Sequence, residues 1–416
     1  MRKRILVFCA TLACSLTVGC GLAENAKPEQ PVKTEEVKET EKLEMAEVTK
    51  ESEKPEIAEV SKESEKHEVN RAEAFDILQA MTIGWNLGNS LDAHGNHDPS
   101  YNETCWGNPA TTREMVDAIY EQGFNTIRVP VTWAEHLGPA PDYVIDEKWL
   151  NRVEEVVSYG LDNGMYVILD THHEPDYWLV PDPEKEEQVA EELAAIWKQI
   201  AERFKACDEH LLFEGMNEPR TRGSEAEWNG GTKEERKVVN TLNKAFVDAV
   251  RATGGNNEER CLILCTYGNS VNYNTLTELE IPEDDHIMVA VHLYTPYFFT
   301  YEPAESIWEW DGSMKADIIT NMQMVDKYLI QKNVPVIITE FGAVHKIAAD
   351  GSTNHEQVLK WIDDYMETVN RYGMKCVWWD NGNYTGQGER FAIFDRRTCE
   401  WFDKEVADAL IRNAMQ

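Results

Sequence analysis

From residue 72 onward, short and mostly apolar runs alternate with longer stretches in which apolar residues recur every three or four positions. The short runs lie at 82–87 (TIGWNL), 124–131 (FNTIRVPV), 165–171 (MYVILDT), 211–216 (LLFEGM), 261–267 (CLILCTY), 287–293 (IMVAVHL), 335–339 (PVIIT) and 375–379 (KCVWW). They have the length of strands and little polar alternation, as parallel strands covered on both faces do. Between them, Val189, Leu193, Ile196, Trp197, Ile200 and Phe204 share one helical face, and Val358, Ile362, Tyr365, Met366 and Val369 share another that stops near Gly373. Eight strand-then-helix units predict an α/β fold, a closed (β/α)8 TIM barrel. An open doubly wound sheet is the alternative, but no Gly-rich phosphate loop follows the first run.

Upstream the pattern breaks. Residues 1–23 join the basic Arg2, Lys3 and Arg4 to an apolar run from Ile5 to Val18, the layout of a secretory signal and too short to span a membrane as a helix. Two cleavage points fit. One follows Ala23; the other precedes Cys20, where Leu16-Thr17-Val18-Gly19-Cys20 approximates a lipoprotein box with Thr17 in the place of its usual Leu. Residues 24–71 are poor in large apolar groups and contain an imperfect duplication, AEVTKESEKPEI at 46–57 and AEVSKESEKHEV at 58–69. Such a stretch cannot offset its ordering entropy and reads as a disordered, Glu/Lys-rich spacer, with a reach of about 40 Å. A single catalytic domain is therefore expected at 72–416, secreted or held outside a bacterial cell. Any membrane tether would run through a lipidated Cys20.

The formal charge is −35, of which the leader contributes +3 and residues 24–70 contribute −7, leaving −31 on the remainder. That argues against nucleic acid and anionic membrane faces as natural partners, and it is neutral toward an uncharged polymer. Outside the leader, Cys105, Cys207, Cys261, Cys265, Cys376 and Cys399 show no dense framework. Cys261 and Cys265 share one strand, with α-carbons about 13 Å apart, so they cannot pair with each other. Free thiols with at most one bridge are expected.

The chemically capable residues collect at the C-terminal ends of the strands, where such barrels carry their sites. Asn86 and Asn89 follow the first strand, Arg128 ends the second, His172 and His173 the third, and Asn217 and Glu218 the fourth. His292 and Tyr294 end the sixth, Glu340 the seventh, and Trp378 and Trp379 the eighth. Two carboxylic acids on facing strand tips are what glycoside hydrolysis needs, one as proton donor and one as anion. Arg128 beside Glu340 should keep that carboxylate ionised, while burial against aromatics should hold Glu218 protonated. A separation of about 5 to 5.5 Å would make the pair a retaining one. His172 and His173 could instead bind a metal, but neighbours on a strand point to opposite sides, so no metal and no cofactor are expected. Trp197 and Trp361 fall on helices as packing residues, whereas about half of Trp106, Trp133, Trp178, Trp228, Trp308 and Trp310, in loops, should line a cleft and stack on sugar rings.

With these residues in hand the chain resembles glycoside hydrolase family 5, the cellulase family of retaining barrels, over about residues 72–416. The motifs GWNLGNSLDA (84–93), WGNPATT (106–112), IRVPVTW (127–133), THHE (171–174), FEGMNEPR (213–220), VHLYTPY (291–297), ITEFGA (338–343) and WWDNG (378–382) occur in the family's order. FEGMNEPR, EWNGG (227–231) and WWDNG are similar to subfamily 4. The resemblance implies Glu218 as acid/base, Glu340 as nucleophile, Arg128, His172, Asn217, His292 and Tyr294 as support, and Trp379 or Trp378 as the aromatic platform. It implies action on internal bonds of a β-1,4-glucan, or the same chemistry on xyloglucan, lichenan, xylan or mannan; a monomer is expected. A surface protein that binds glycans without cleaving them is the rival of another class, and the intact acid pair argues against it.

Overall fold

The computed structural model describes residues 69–95, 103–301, 306–386 and 388–415. The expected signal, Cys20 and nearly all of the spacer with its repeat lie outside the described residues. Eight parallel strands hydrogen-bond in chain order: β1 (Gly84–Leu87), β2 (Thr126–Val129), β3 (Tyr166–Asp170), β4 (Leu211–Glu214), β5 (Leu262–Cys265), β6 (Ile287–His292), β7 (Val336–Phe341) and β8 (Lys375–Asp380). β8 pairs with β1, Asn86 opposite Trp379, and the barrel closes. Each strand falls in the run expected for it, with β7 and β8 extending slightly past theirs.

The helices lie between the strands: α1 (Ala72–Ala80), α2 (Arg113–Gln122), α3 (Glu147–Asp162), α4 (Glu186–Arg203), α5 (Lys233–Arg251), the short α6 (Tyr273–Thr277) and α7 (Tyr297–Thr300), α8 (Lys315–Tyr328), α9 (His355–Arg371) and α10 (Lys404–Ala414). Their ends follow from local chemistry. Asp146 starts α3 by accepting the backbone N–H groups of Lys148 and Trp149, and Thr232 with Glu235 forms a capping box at α5. The apolar faces of α4 and α9 are buried as their spacing requires.

Strand alternation divides the interior into two cores. Outward residues such as Trp85, Ile127, Val167, Leu169, Phe213 and Trp378 pack under the helices. Inward residues Ile168, Leu212, Ile263, Met288, Ala290, Ile337 and Val377 fill the lower barrel together with Ala74, Leu78 and Met81. Helix α1 thus plugs the N-terminal mouth, an element that strand counting did not assign. Gly84 faces inward here, where a β-carbon would lie 2.8 Å from Val377 Cγ1, so only glycine leaves room for that side chain. One alternation higher, the inward positions turn polar: Asn86, Arg128, Asp170 and Glu214 are all fully buried. The six described cysteines are free thiols; Cys261, Cys265 and Cys376 are buried.

Candidate active site

Arg128 organises the upper layer. Its Nε donates to Glu214 Oε2 at 2.6 Å, and Nη1 to Asn86 Oδ1 at 3.0 Å and Glu340 Oε1 at 2.9 Å. Nη2 reaches Asn217 Oδ1 at 2.7 Å and Asp170 Oδ2 at 2.8 Å. Burial works against the guanidinium charge, but Glu214, Asp170 and Glu340 outweigh it and strengthen its hold on the proton. Three carboxylates around one cation do not share it equally. Burial raises Asp170, yet Arg128 and His172 pull it below the usual range; Glu214, where burial wins over Arg128, ends up raised.

Glu340, on β7, also accepts from the Tyr294 hydroxyl, Oη to Oε2 at 3.0 Å. Glu218 sits just beyond β4. Its Oε1 is 2.7 Å from His292 Nδ1, and Arg220 Nη1 lies 3.0 Å from its Oε2. His292 Nδ1 is also 3.5 Å from Glu340 Oε2. Oxygens of Glu218 and Glu340 come within 4.8 Å of each other, with His292 between them. The expectation that burial holds Glu218 protonated is not what this arrangement gives. Burial does push the carboxyl up, but the hydrogen bond from His292 and the Arg220 guanidinium pull harder and leave it at about 2.

Two rings complete the floor. The His172 imidazole and the Trp379 indole lie within 4° of parallel, centroids 5.6 Å apart. His172 is held by Asp170, Nδ1 to Oδ2 at 2.8 Å; burial lowers its basicity, but that carboxylate raises it to about 9. A β-carbon at Gly88 would come 2.6 Å from Trp379 Cη2, so the glycine is what lets the indole lie against the β1 end. Trp378 points the other way, packing on Phe341 and Trp361 with its N–H donated to the Phe391 carbonyl. Of the two platform candidates, Trp379 is the one at the mouth.

Asn86 joins the ring from beneath, donating to the Thr339 carbonyl. His173 stands outside it, 3.5 Å from Asp92 Oδ2. Contrary to strand alternation, the two histidines do not diverge: β3 ends at Asp170, His173 has φ −97 and ψ 21, and the rings meet edge to face at 4.6 Å. Asn89 turns away in a left-handed conformation, φ 57, to bond Asp92. Among the loop tryptophans, Trp133 and Trp310 are buried, whereas Trp106 and Trp228 are exposed.

Sequence reasoning missed Asp170, Glu214, Arg220 and Asn269. The first two had a signal: an acid in phase with Ile168 or Leu212 must point into the barrel. Asn269 had none. It is fully buried and left-handed at φ 47. Its amide nitrogen donates to the Asn217 carbonyl at 2.5 Å and faces His292 Nε2 at 3.3 Å. That carbonyl fixes which end of the amide is the nitrogen, so Nε2 accepts and Nδ1 is left as the His292 donor toward Glu218.

A family model described as Cellulase (glycosyl hydrolase family 5) matches residues 91–385. Endoglucanase A of Ruminococcus albus is 51% identical over 350 residues, 83% of this chain and 94% of that protein. Among solved structures, a GH5 xyloglucan-specific endo-beta-1,4-glucanase from a metagenomic library, in complex with cellotriose, is 54% identical with a TM-score of 0.79, covering 82% of this chain and 99% of that one. A GH5-4 broad specificity endoglucanase from Ruminococcus champanellensis with bound cellotriose is 42% identical with a TM-score of 0.77, covering 81% and 98%.

Proposed function

Because the chain belongs to glycosyl hydrolase family 5, we propose that it is a retaining endo-β-1,4-glucanase, with Glu340 as nucleophile and Glu218 as acid/base. The observation that carries this reading is the approach of the two carboxylates within 4.8 Å on the tips of β4 and β7. Retaining pairs stand about 5 to 5.5 Å apart, whereas inverting pairs are wider by a water molecule. Glu340 is aimed by Arg128 and Tyr294, which donate to different oxygens. It attacks the anomeric carbon as the glycosidic bond breaks and Glu218 gives its proton to the departing oxygen. Glu218 then takes a proton from the water that releases the sugar from Glu340.

Glu218 must carry a proton for the first step. Sugar in the cleft excludes water, and two carboxylates this close then resist being ionised together. The retaining assignment then puts the proton on Glu218, which His292 Nδ1 contacts at 2.7 Å. The parallel His172 and Trp379 rings offer a flat face for a pyranose. Product anomers followed by NMR test the mechanism: the β-anomer appears first under retention, and first appearance of the α-anomer sinks it.

The substrate we assign is the internal β-1,4 bond of soluble or amorphous β-glucan. Xyloglucan is the second reading, favoured by the xyloglucan-specific relative of known structure. Reducing-end assays on carboxymethylcellulose, xyloglucan, lichenan, xylan and mannan separate them; activity on mannan alone would rule out both. We also propose export, from the basic start and apolar run of residues 1–23, and action as a monomer. Mass spectrometry of the mature N-terminus distinguishes cleavage after Ala23 from a lipid on Cys20, and an uncleaved Met1 refutes export by this signal.

A further inference from the structure

The loops after β1 and β3 bring His94, His173 and Asp176 together at the edge of the cleft, outside the ring organised by Arg128. One ligand atom from each lies within 4.8 Å of the other two. His94 Nε2 is 3.3 Å from Asp176 Oδ2, close to the edge of a tetrahedron with bonds of about 2.0 to 2.1 Å to nitrogen and oxygen. Each imidazole is also oriented from behind, as metal-binding histidines are. The Tyr177 hydroxyl is 2.9 Å from His94 Nδ1, and Asp92 Oδ2 is 3.5 Å from His173 Nε2. All three residues are partly exposed, so an ion has a way in. The exposed Trp106 covers one side, its ring 5.1 Å from His94 and 5.4 Å from His173.

We propose that His94, His173 and Asp176 form a binding site for one divalent transition-metal ion of the zinc type, with solvent completing the coordination. Two imidazoles and a carboxylate are borderline nitrogen and oxygen donors, which suit zinc over magnesium or calcium. The ion would tie the loop carrying His94 to the loop carrying His173 and Asp176, and so pin one wall of the cleft. It takes no part in hydrolysis. One group opposes it: Arg222, nearly half exposed, holds Asp176 through its other oxygen, Oδ1. That guanidinium is a built-in competitor for the same carboxylate.

The test is a calorimetric titration of the purified full chain with zinc chloride in a non-coordinating buffer, paired with thermal unfolding. The wild type takes up one ion per chain saturably, and its Tm rises. His94→Ala and Asp176→Asn each weaken binding at least tenfold and abolish the rise in Tm, while Arg222→Gln tightens binding by removing the competitor. Both weakened variants keep basal hydrolysis, which reports that they are folded. Absence of saturable one-to-one uptake, or wild-type affinity retained in either His94→Ala or Asp176→Asn, overturns the assignment.

Discussion

The lower and upper halves of the barrel interior are built by the same eight strands, yet they obey opposite chemistry. Below, Ile168, Leu212, Ile263, Met288, Ile337 and Val377 meet the apolar face of α1. Above, two residues further along β3 and β4, the same inward direction carries Asp170 and Glu214, gathered with Glu340 around Arg128. The lower layer gains from apolar burial, at about 25 cal/mol per Å². The upper layer holds one cation among three carboxylates, where desolvation opposes the attraction of each pair. Stability is made below, and the chemistry is held above, on strand ends that the lower packing keeps still.

That division breaks first at Glu340. Replacing it by Ala should reduce turnover about ten-thousandfold or more, the scale of losing a nucleophile. Stability should hold or rise, because the change relieves like-charge crowding around Arg128. Steady-state kinetics with a thermal melt checks both, and a variant with a near-normal rate would refute the assignment of Glu340. Leu212→Ala is the mirror experiment. The side chain is fully buried in the lower layer, so about 2 to 5 kcal/mol of stability should be lost to the cavity, with kcat/KM within a few-fold of wild type below the melting range. Should it instead leave a stable but inactive protein, the two layers are not separable.

Much of this was legible in the sequence because parallel strands announce themselves. Runs such as VILD and LLFE need apolar groups on both faces, and their spacing leaves room for one helix between each pair. The convergence of Arg128, Asn217, Glu218, His292, Tyr294 and Glu340 could be expected too, since strand order places their tips on one rim. Less could be said where a residue leaves the regular backbone. The His172–His173 geometry turns on a strand ending two residues earlier than the alternation argument required. The proton preference of Glu218 turns first on the hydrogen bond from His292 and then on Arg220, which approaches from a loop. Helix α1 escaped because its role as a plug is a tertiary fact, fixed by what stands open beneath the barrel.

Acidity offers a weaker lever on the same contrast. His172, fully buried against Asp170, keeps its proton up to about 9 in the folded protein, whereas an ordinary imidazole releases it near 6.5. The folded state therefore binds more protons than the unfolded chain between these values. Its stabilising contribution is complete below about pH 6.5 and fades as pH rises through 9, a loss of about 2 kcal/mol between pH 7 and 9. Urea midpoints over that range should fall in wild type and flatten in His172→Gln. An equally steep fall in the variant would place the titration elsewhere in the molecule.

The smallest effect probes how the upper layer sets a proton's position. Asn269 lies outside the Arg128 ring and touches neither carboxylate, but its amide nitrogen faces His292 Nε2 and leaves Nδ1 to serve Glu218. Asn269→Ala frees Nε2 to carry the hydrogen, so part of the population presents the wrong face of the ring to the acid. The expected cost is about tenfold in kcat, or about 1.4 kcal/mol, with KM little changed. The pH profile should shift on its alkaline side, where Glu218 must still hold its proton. Alanine also relinquishes the left-handed backbone that asparagine tolerates, so a loss of stability alone is the competing account. Asn269→Gly separates them. Glycine accepts that backbone but offers no amide, so it should restore stability while leaving kcat and the pH profile as displaced as in Asn269→Ala.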